Sequence, residues 1–251
     1  MVNDREHVDL SVVLPCYNEI DYLKKAVDSS DDLLKRTNYT YEIIIAEDAS
    51  TDGTAQLAEK LSKESDHIVW MHRNKRIGRG SAIADAFRKA RGRIVGFLDI
   101  DLEAPAHYIL PMVLAINQGA DIAVGVRQVK IGALGYVFQL HKIILHNGYK
   151  WLARKLLRIN LQDVGVGFKF FKRERILPIL DEVKDQHWFW DTEIVVRALL
   201  KGLKIFELPM AYIPITDRES KVNYVQDSFI HFKKLLALRK ELKHKAARIR
   251  N

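Results

Sequence analysis

Two aspartates placed two residues apart, Asp99 and Asp101, follow directly on an apolar run at 93–98 (RIVGFL). Such a run is typical of a buried β-strand, so both carboxylates are expected at the carboxyl end of a strand. Carboxylates this close repel each other unless a cation or hydrogen-bond donors compensate them. Mg²⁺ or Mn²⁺ would do so through oxygen ligands, with Glu103 as a third ligand. A solvated acidic loop is the alternative interpretation.

A second polar cluster, residues 47–54 (EDASTDGT), follows another apolar run at 41–46. Asp52 or Thr54 can cap the helix expected after it, and the glycine eases the turn. That leaves Asp48 without a structural role, at a position where its carboxylate can accept hydrogen bonds from a nucleobase or ribose.

Residues 77–82 (IGRGSA) open a predicted helix with two glycines and Arg79. The glycines let the backbone approach a ligand, and a helix N-terminus beside an arginine favours a phosphate. The segment is neither a Walker A loop nor a dinucleotide-binding fingerprint, because the required Gly-Lys-Ser/Thr and third glycine are missing. A plain tight turn explains it equally well.

The elements that must position these residues alternate between apolar runs and amphipathic segments. This alternation predicts βαβ units, a mainly parallel sheet and ligand binding beyond the carboxyl ends of its strands. The expected strands are 8–15, 41–46, 68–72, 93–98, 120–126, 167–171 and 203–209. The expected helices are 20–35, 54–65, 78–92, 135–157, 190–200 and 229–249. We predict one α/β domain over 1–224 and a basic amphipathic C-terminal helix over 225–251.

The net charge of +8 is concentrated in two segments. Seven lysines and arginines and no acidic residue lie between Asp121 and Asp163, and residues 225–251 carry eight against two acidic residues. Both segments also carry apolar residues at helical spacing, which suits an anionic membrane surface; solvated helical faces are the alternative. The sequence predicts neither a spanning helix nor a signal peptide, and its single cysteine, Cys16, excludes an internal disulfide.

Taken in order, the motifs resemble the family 2 glycosyltransferases with the GT-A fold, in the branch of the dolichyl-phosphate mannose and dolichyl-phosphate glucose synthases. The resemblance covers about residues 8–224 and rests on VVLPCYNE (12–19), EDASTDGT (47–54), GRGSA (78–82), FLDIDLEAP (97–105), VGVR (124–127), DVGVGFKFFKR (163–173) and WDTEI…GLKIFELP (190–209). The chain departs from the family where EDAS replaces DDGS, and in a late segment, 217–221 (DRESK), that matches only in part.

The resemblance implies a role for each matching residue. Pro15, Tyr17, Glu19 and Asp48 would contact the base and ribose of the donor. Asp99, Asp101 and Glu103 would bind the metal and the diphosphate, and Arg127 and Lys142 would bind the acceptor phosphate. Ser220 and Lys221 would belong to a loop that closes over the donor. Arg79 joins this group as a phosphate ligand on its position alone.

The reaction implied is the metal-dependent, inverting transfer of a hexose from UDP-glucose or GDP-mannose to a polyprenyl phosphate. The attacking phosphate is already anionic near neutral pH, so no general base is required. Catalysis then consists of positioning and charge stabilisation. The metal with Asp101 and Lys221 would act on the leaving diphosphate, and Arg127 and Lys142 on the nucleophile.

Three other functions fit parts of the sequence. A family 2 transferase acting on a saccharide hydroxyl would use Asp191 or Glu193 as general base. The basic segment between Asp121 and Asp163 argues against it, because a neutral acceptor has no use for those charges. A non-catalytic membrane-surface scaffold would have no need of both Asp99 and Asp101. The positive charge also suits a nucleic-acid binder, but the sequence has no nucleic-acid-binding motif. We therefore expect a peripheral enzyme on the cytoplasmic face of a membrane. A membrane-protein partner, the sugar and the prenol length stay open.

Overall fold

The computed structural model describes residues 8–129, 148–213, 215 and 224–249. The strands in these ranges are β1 (Leu10–Cys16), β2 (Tyr41–Glu47), β3 (Ile68–Met71), β4 (Ile94–Leu98), β5 (Ile122–Val129), β6 (Phe168–Lys172) and β7 (Ile205–Tyr212). They form one sheet in the order β3-β2-β1-β4-β6-β5-β7. Only β6 runs antiparallel to its neighbours among these described strands, so the predicted mainly parallel sheet is confirmed.

Helices flank the sheet and connect its strands. They are α1 (Ile20–Leu34), α2 (Thr54–Glu64), α3 (Arg79–Lys89), α4 (Ile109–Asn117), α5 (residues 148–157), α6 (Arg173–Leu180), α7 (Trp190–Leu200) and α8 (Tyr224–Ile249). The predicted bounds of α7 are confirmed, and those of α1 and α2 differ by one residue. None of the described helices is long and apolar enough to cross a bilayer.

The core explains why the central strands are nearly continuous apolar runs. Strands β1, β2 and β4 are buried along their whole length, because helices cover both faces of a parallel sheet. Around them the largest fully buried side chains are mostly aromatic: Phe87, Phe97, Phe168, Phe170, Phe171 and Trp190. Phe97 of β4 packs against Phe171 of β6, Phe87 of α3 and Trp190 of α7, so aromatic side chains hold this strand in place.

Two helices were not predicted. Helix α4 is apolar around nearly its whole circumference and buries five of its nine residues, so it has little amphipathic period to detect. Helix α6 has only eight residues and contains Pro178, which reads as a breaker in a sequence. The predicted helix at 135–157 is confirmed for 148–157, and its earlier part lies outside the described residues.

Helix α8 packs one face on the domain. Leu235 and Leu238 are buried in the same core as the sheet. Glu241 bonds to Arg197 of α7 and, at 2.8 Å, to Lys184. The apolar residues of that face therefore pack on the domain's own core. The helix begins at Tyr224, five residues before the predicted start.

Candidate functional site

The polar residues expected at one edge of the sheet do meet there. Strands β2, β1 and β4 are adjacent and parallel, so their carboxyl ends lie side by side. Pro15 is in the buried end of β1, Asp48 follows β2, and Asp99 and Asp101 follow β4. The backbone N–H of Asp48 donates to the carbonyl of Cys16 at 3.0 Å, which joins the first two ends.

Asp48 has a structural role that the sequence did not reveal. Its buried carboxylate accepts hydrogen bonds from the backbone N–H groups of Ile77 (3.1 Å) and Gly78 (2.8 Å). The guanidinium of Arg73 donates to it at 3.1 Å and to the hydroxyl of Ser81 at 3.0 Å. Asp48 thus fixes the loop that leads into α3. Arg73, which no motif singled out, is the residue that ties this loop to the start of the helix.

The loop after β1 is tied to the loop after β2. Asn18 receives the N–H of Thr51 at 2.8 Å, and its own N–H donates to the hydroxyl of Ser50 at 2.9 Å. Glu19 is buried, and its N–H donates to the hydroxyl of Thr54 at 2.8 Å. Next to them, the guanidinium of Arg76 lies 3.8 Å from the ring centre of Tyr17. Tyr17 and Glu19 are therefore held at the same edge of the sheet as Asp48.

Arg79 forms the centre of a chain of alternating charges. Its two terminal nitrogens bond to Asp99 at 2.5 Å and to Asp191 at 2.7 Å. The guanidinium lies 5.2 Å from the ring centre of Phe97 and 5.0 Å from that of Trp188. Burial tends to lower the pKa of Arg79, but the attraction of Asp191 and Asp99 outweighs it and the pKa is raised.

Lys169 continues this chain into the core. Its side chain is fully buried, donates to the carbonyl oxygen of Val166, and lies 3.7 Å from Oδ1 of Asp191. That Oδ1 atom is buried and accepts no hydrogen bond in the described structure. Burial lowers the pKa of Lys169 to about 8 and raises that of Asp191. Lys169 is the one polar residue in the apolar segment 167–171 (GFKFF), and the sequence alone gives it no role.

Glycines allow these groups to approach. A Cβ atom on Gly167 would lie 1.9 Å from Oδ2 of Asp99, and the N–H of Asp99 donates to the Gly167 carbonyl at 2.9 Å. On α3, a Cβ on Gly80 would lie 2.4 Å from the Cβ of Trp190. The glycines that open α3 therefore bring its N-terminus against α7, which places Arg79 beside Asp191.

Glu103 is directed toward the end of β7. Its Oε1 accepts the N–H of Ile215 at 3.0 Å, its Oε2 accepts the hydroxyl of Tyr212, and its carbonyl accepts the N–H of Ile213. Among the residues that the structure describes, no three acidic, histidine or cysteine side chains are grouped to hold a metal. Asp99 and Asp101 still fit Mg²⁺ or Mn²⁺, because such ions are commonly held by one or two carboxylates with phosphate oxygens and water.

A basic cluster lies beside these carboxylates. Arg127 makes a bidentate pair with buried Asp163 at 2.9 and 3.0 Å, and Lys150 reaches the same carboxylate at 3.1 Å. The cluster of Arg127, Lys150 and Asp163 thus carries one excess positive charge. Burial opposes the charge of Arg127, but Asp163 outweighs it and raises the pKa. Lys150 was counted only in the basic run, whereas Lys142, Ser220 and Lys221 lie outside the described residues.

Glu193 and Asp191, the candidate general bases, are held by other groups. Glu193 accepts the N–H groups of Lys184 (3.2 Å) and Asp185 (2.9 Å) and pairs with Arg197 at 2.8 Å. Asp191 pairs with Arg79, as described above. Both carboxylates therefore orient protein groups in the described structure.

Comparisons with known proteins show the family and the fold. The model of the family described as glycosyl transferase family 2 matches residues 11–177. The chain is 35% identical over 223 residues to glycosyltransferase AglD of Haloferax volcanii, covering 88% of this chain but only 35% of that protein. It is 28% identical over 256 residues to the dolichyl-phosphate beta-glucosyltransferase of Saccharomyces cerevisiae, covering 94% of this chain and 75% of that protein.

One solved structure shows the likeness of fold. It is glucosyl-3-phosphoglycerate synthase from Mycobacterium tuberculosis, in complex with Mn²⁺, UDP-glucose and phosphoglyceric acid. It matches with a TM-score of 0.67 and 18% identity, covering 93% of this chain and 80% of that one. The GT-A fold predicted from the sequence is confirmed.

We predict that Lys169→Met changes how stability depends on pH. The pKa of Lys169 is about 8 in the folded chain, so the unfolded chain binds more protons from there up to the ordinary lysine pKa of about 10.4. The unfolding free energy of the unchanged protein should therefore rise with pH in that window, relative to the variant, by at most about 1.4 kcal/mol per pH unit. Urea unfolding at a series of pH values measures this difference.

Lys172→Met is the matched control, because Lys172 lies on the same strand but keeps contact with solvent. Its stability profile should run parallel to that of the unchanged protein. A parallel profile for Lys169→Met as well would contradict the prediction.

Proposed function

We propose, from the premise that this chain belongs to glycosyl transferase family 2, that it transfers glucose from UDP-glucose to a polyprenyl phosphate. The observation that carries the proposal is the basic cluster of Arg127, Lys150 and Asp163 beside the carboxylates of the sheet edge. Its excess positive charge suits an anionic acceptor, and a neutral saccharide hydroxyl has no need of it. The yeast relative's name supports glucose and a dolichyl phosphate acceptor.

The sheet edge supplies the donor side. Tyr17, Glu19 and Asp48 would contact the nucleotide, and Asp99 and Asp101 would hold the divalent cation. The cation, when bound, would neutralise charge on the leaving diphosphate. Arg79, at the N-terminus of α3, adds a second positive charge on the same side.

The basic cluster supplies the acceptor side. A phosphate near neutral pH is already a nucleophile, so the residues around it need only orient it and compensate its charge. Arg127 and Lys150 are held rigidly by Asp163, which leaves little side-chain freedom to lose on binding. We propose Lys150 as a phosphate ligand in addition to Arg127 and Lys142.

One face of α8 supplies a contact with the membrane that holds such an acceptor. Phe229, Phe232 and Leu236 are exposed at helical spacing, on a different face from buried Leu235 and Leu238. Exposed Lys233, Lys240 and Lys243 lie along this same face. Apolar side chains can enter the headgroup region while each lysine gains about 1 kcal/mol near anionic lipid.

The first test of this function is a donor panel. With Mn²⁺ and a short polyprenyl phosphate, we expect transfer from UDP-glucose and little from GDP-mannose. Asp101→Ala should lower turnover by about 100-fold or more, since it removes charge stabilisation at the diphosphate. Asp66→Ala, in an exposed turn, is the control and should be unaffected. Full activity of Asp101→Ala, or of the unchanged protein in excess EDTA, would exclude the metal role.

The acceptor site has a separate test. Arg127→Ala and Lys150→Ala should each raise the KM for polyprenyl phosphate about tenfold, because each removes a charge-assisted bond to the phosphate. Calorimetric binding of UDP-glucose should change little. Arg175→Ala, a half-exposed arginine in the first turn of α6, serves as control. A loss confined to donor affinity would place these residues on the other substrate.

Membrane binding is tested by sedimentation with phosphatidylserine-containing vesicles. The protein should sediment at low salt and be released at high salt, because salt screens the lysines. Phe229→Ser combined with Phe232→Ser should reduce sedimentation, whereas Leu114→Ser, an exposed leucine on α4, should not. Point substitutions are used because deleting α8 would uncover the core at Leu235. Unchanged sedimentation of the double variant would rule out this face as the anchor.

A further inference from the structure

Arg79 occupies an oxygen atom of the carboxylate that the proposed cation needs. Its guanidinium bonds to Oδ1 of Asp99 at 2.5 Å, and only 12% of the Arg79 side chain is exposed. A divalent cation on Asp99 and the guanidinium would be like charges sharing one carboxylate. In a partly desolvated site their repulsion is poorly screened, so the two compete.

Asp191 is the second carboxylate bonded to Arg79, and it can hold the guanidinium when the bond between Arg79 and Asp99 breaks. It holds the other terminal nitrogen at 2.7 Å and is itself almost fully buried. The Lys169 ammonium, 3.7 Å from its unpartnered Oδ1, stabilises its charge. Asp191 can therefore keep the guanidinium in the site, at the N-terminus of α3, after the bond to Asp99 is broken.

A nucleoside diphosphate would remove the competition. Its phosphate oxygens offer negative charge to both the cation and Arg79, so the two positive groups no longer depend on the same carboxylate. The helix dipole puts a partial positive charge at the N-terminus of α3, although the N–H of Ser81 already donates to the Gln186 carbonyl at 3.0 Å. A cation alone adds positive charge to the site and a diphosphate alone adds negative charge. The two charges compensate each other when both ligands are bound.

We infer that Arg79 couples cation binding to nucleotide binding, with Asp191 as its positioning residue: Asp99 accepts a divalent cation weakly until a nucleoside diphosphate draws Arg79 away. The inference rests on the donor site of the proposed function. The inference predicts tighter Mn²⁺ binding when Arg79 is replaced and weaker Mn²⁺ binding when Asp191 is replaced. General damage to the fold would not produce these opposite effects. Because coupling is reciprocal, the cation should strengthen nucleotide binding by the same factor.

The experiment measures Mn²⁺ affinity by electron paramagnetic resonance, without nucleotide and with saturating UDP. In the unchanged protein, UDP should tighten Mn²⁺ binding by about tenfold or more. Arg79→Met removes the competing charge and should bind Mn²⁺ alone about tenfold more tightly, with most of the coupling lost. Asp191→Asn leaves Asp99 as the anionic partner of Arg79, so Mn²⁺ alone should bind several-fold more weakly.

Two controls separate charge from structure. Arg79→Lys keeps a positive charge and should stay close to the unchanged protein. Arg88→Met makes the same chemical change nine residues along α3, about 13 Å away, and should leave Mn²⁺ binding unaltered. Thermal unfolding checks each variant; if Asp191→Asn does not fold, the Arg79→Met and Arg79→Lys pair still decides.

Mn²⁺ binding in Arg79→Met no tighter than in the unchanged protein, or binding that UDP does not affect, would overturn the inference. The outcome is distinguishable from failure of the proposed function. Coupling without sugar transfer would leave the inference standing and refute the assigned reaction. Transfer from UDP-glucose with no effect of Arg79→Met on Mn²⁺ affinity would support the assigned reaction and refute the inference.

Discussion

The shared ion pair of Arg79 with Asp99 and Asp191 is the interaction on which the rest of the site depends. Parallel strands bring acidic residues to one edge of the sheet, and α7 adds the buried carboxylate of Asp191 from the other side. A buried charge without a partner is strongly destabilising. Arg79 compensates the two carboxylates at once, and Lys169 supplies the remaining positive charge from below. The four side chains are neutral as a group although each is charged.

This compensation requires backbone approaches that only glycine permits. Gly80 lets α3 lie against Trp190, and Gly167 leaves room for the carboxylate of Asp99. The aromatic side chains below, Phe97 and Trp190 among them, form a rigid support because they interlock edge to face. Charge, glycine and aromatic packing are therefore parts of one arrangement. The glycines allow the close approach of the chain segments, and the aromatic side chains hold these segments in place. The ion pairs with Arg79 offset the repulsion between Asp99 and Asp191.

The sequence predicted the elements that have a strong period and the residues that follow them. The parallel strands and the edge with Asp48, Asp99 and Asp101 are of this kind, because strand ends are local features. Contacts between distant segments were not predictable: Arg79 and Asp191 are 112 positions apart, and Arg73 and Asp48 are 25 apart. For the same reason the protein partners of Glu103 and Asp48, which hold loops in place, could not be read from spacing.

The antiparallel strand β6 explains how the acidic edge and the basic cluster come to be neighbours. In a parallel sheet, loops after the strands form the site; a strand of reversed direction contributes the loop before it instead. Because Leu98 of β4 pairs with Phe168 of β6, the segment 163–167 lies where β4 ends. Asp163 of this segment fixes Arg127 and Lys150, its Gly167 contacts Asp99, and Lys169 just beyond it supports Asp191. One short stretch of chain thus sets the distance between the two charge clusters. A substitution there would shift both together, and small misplacements of reacting groups are costly in rate.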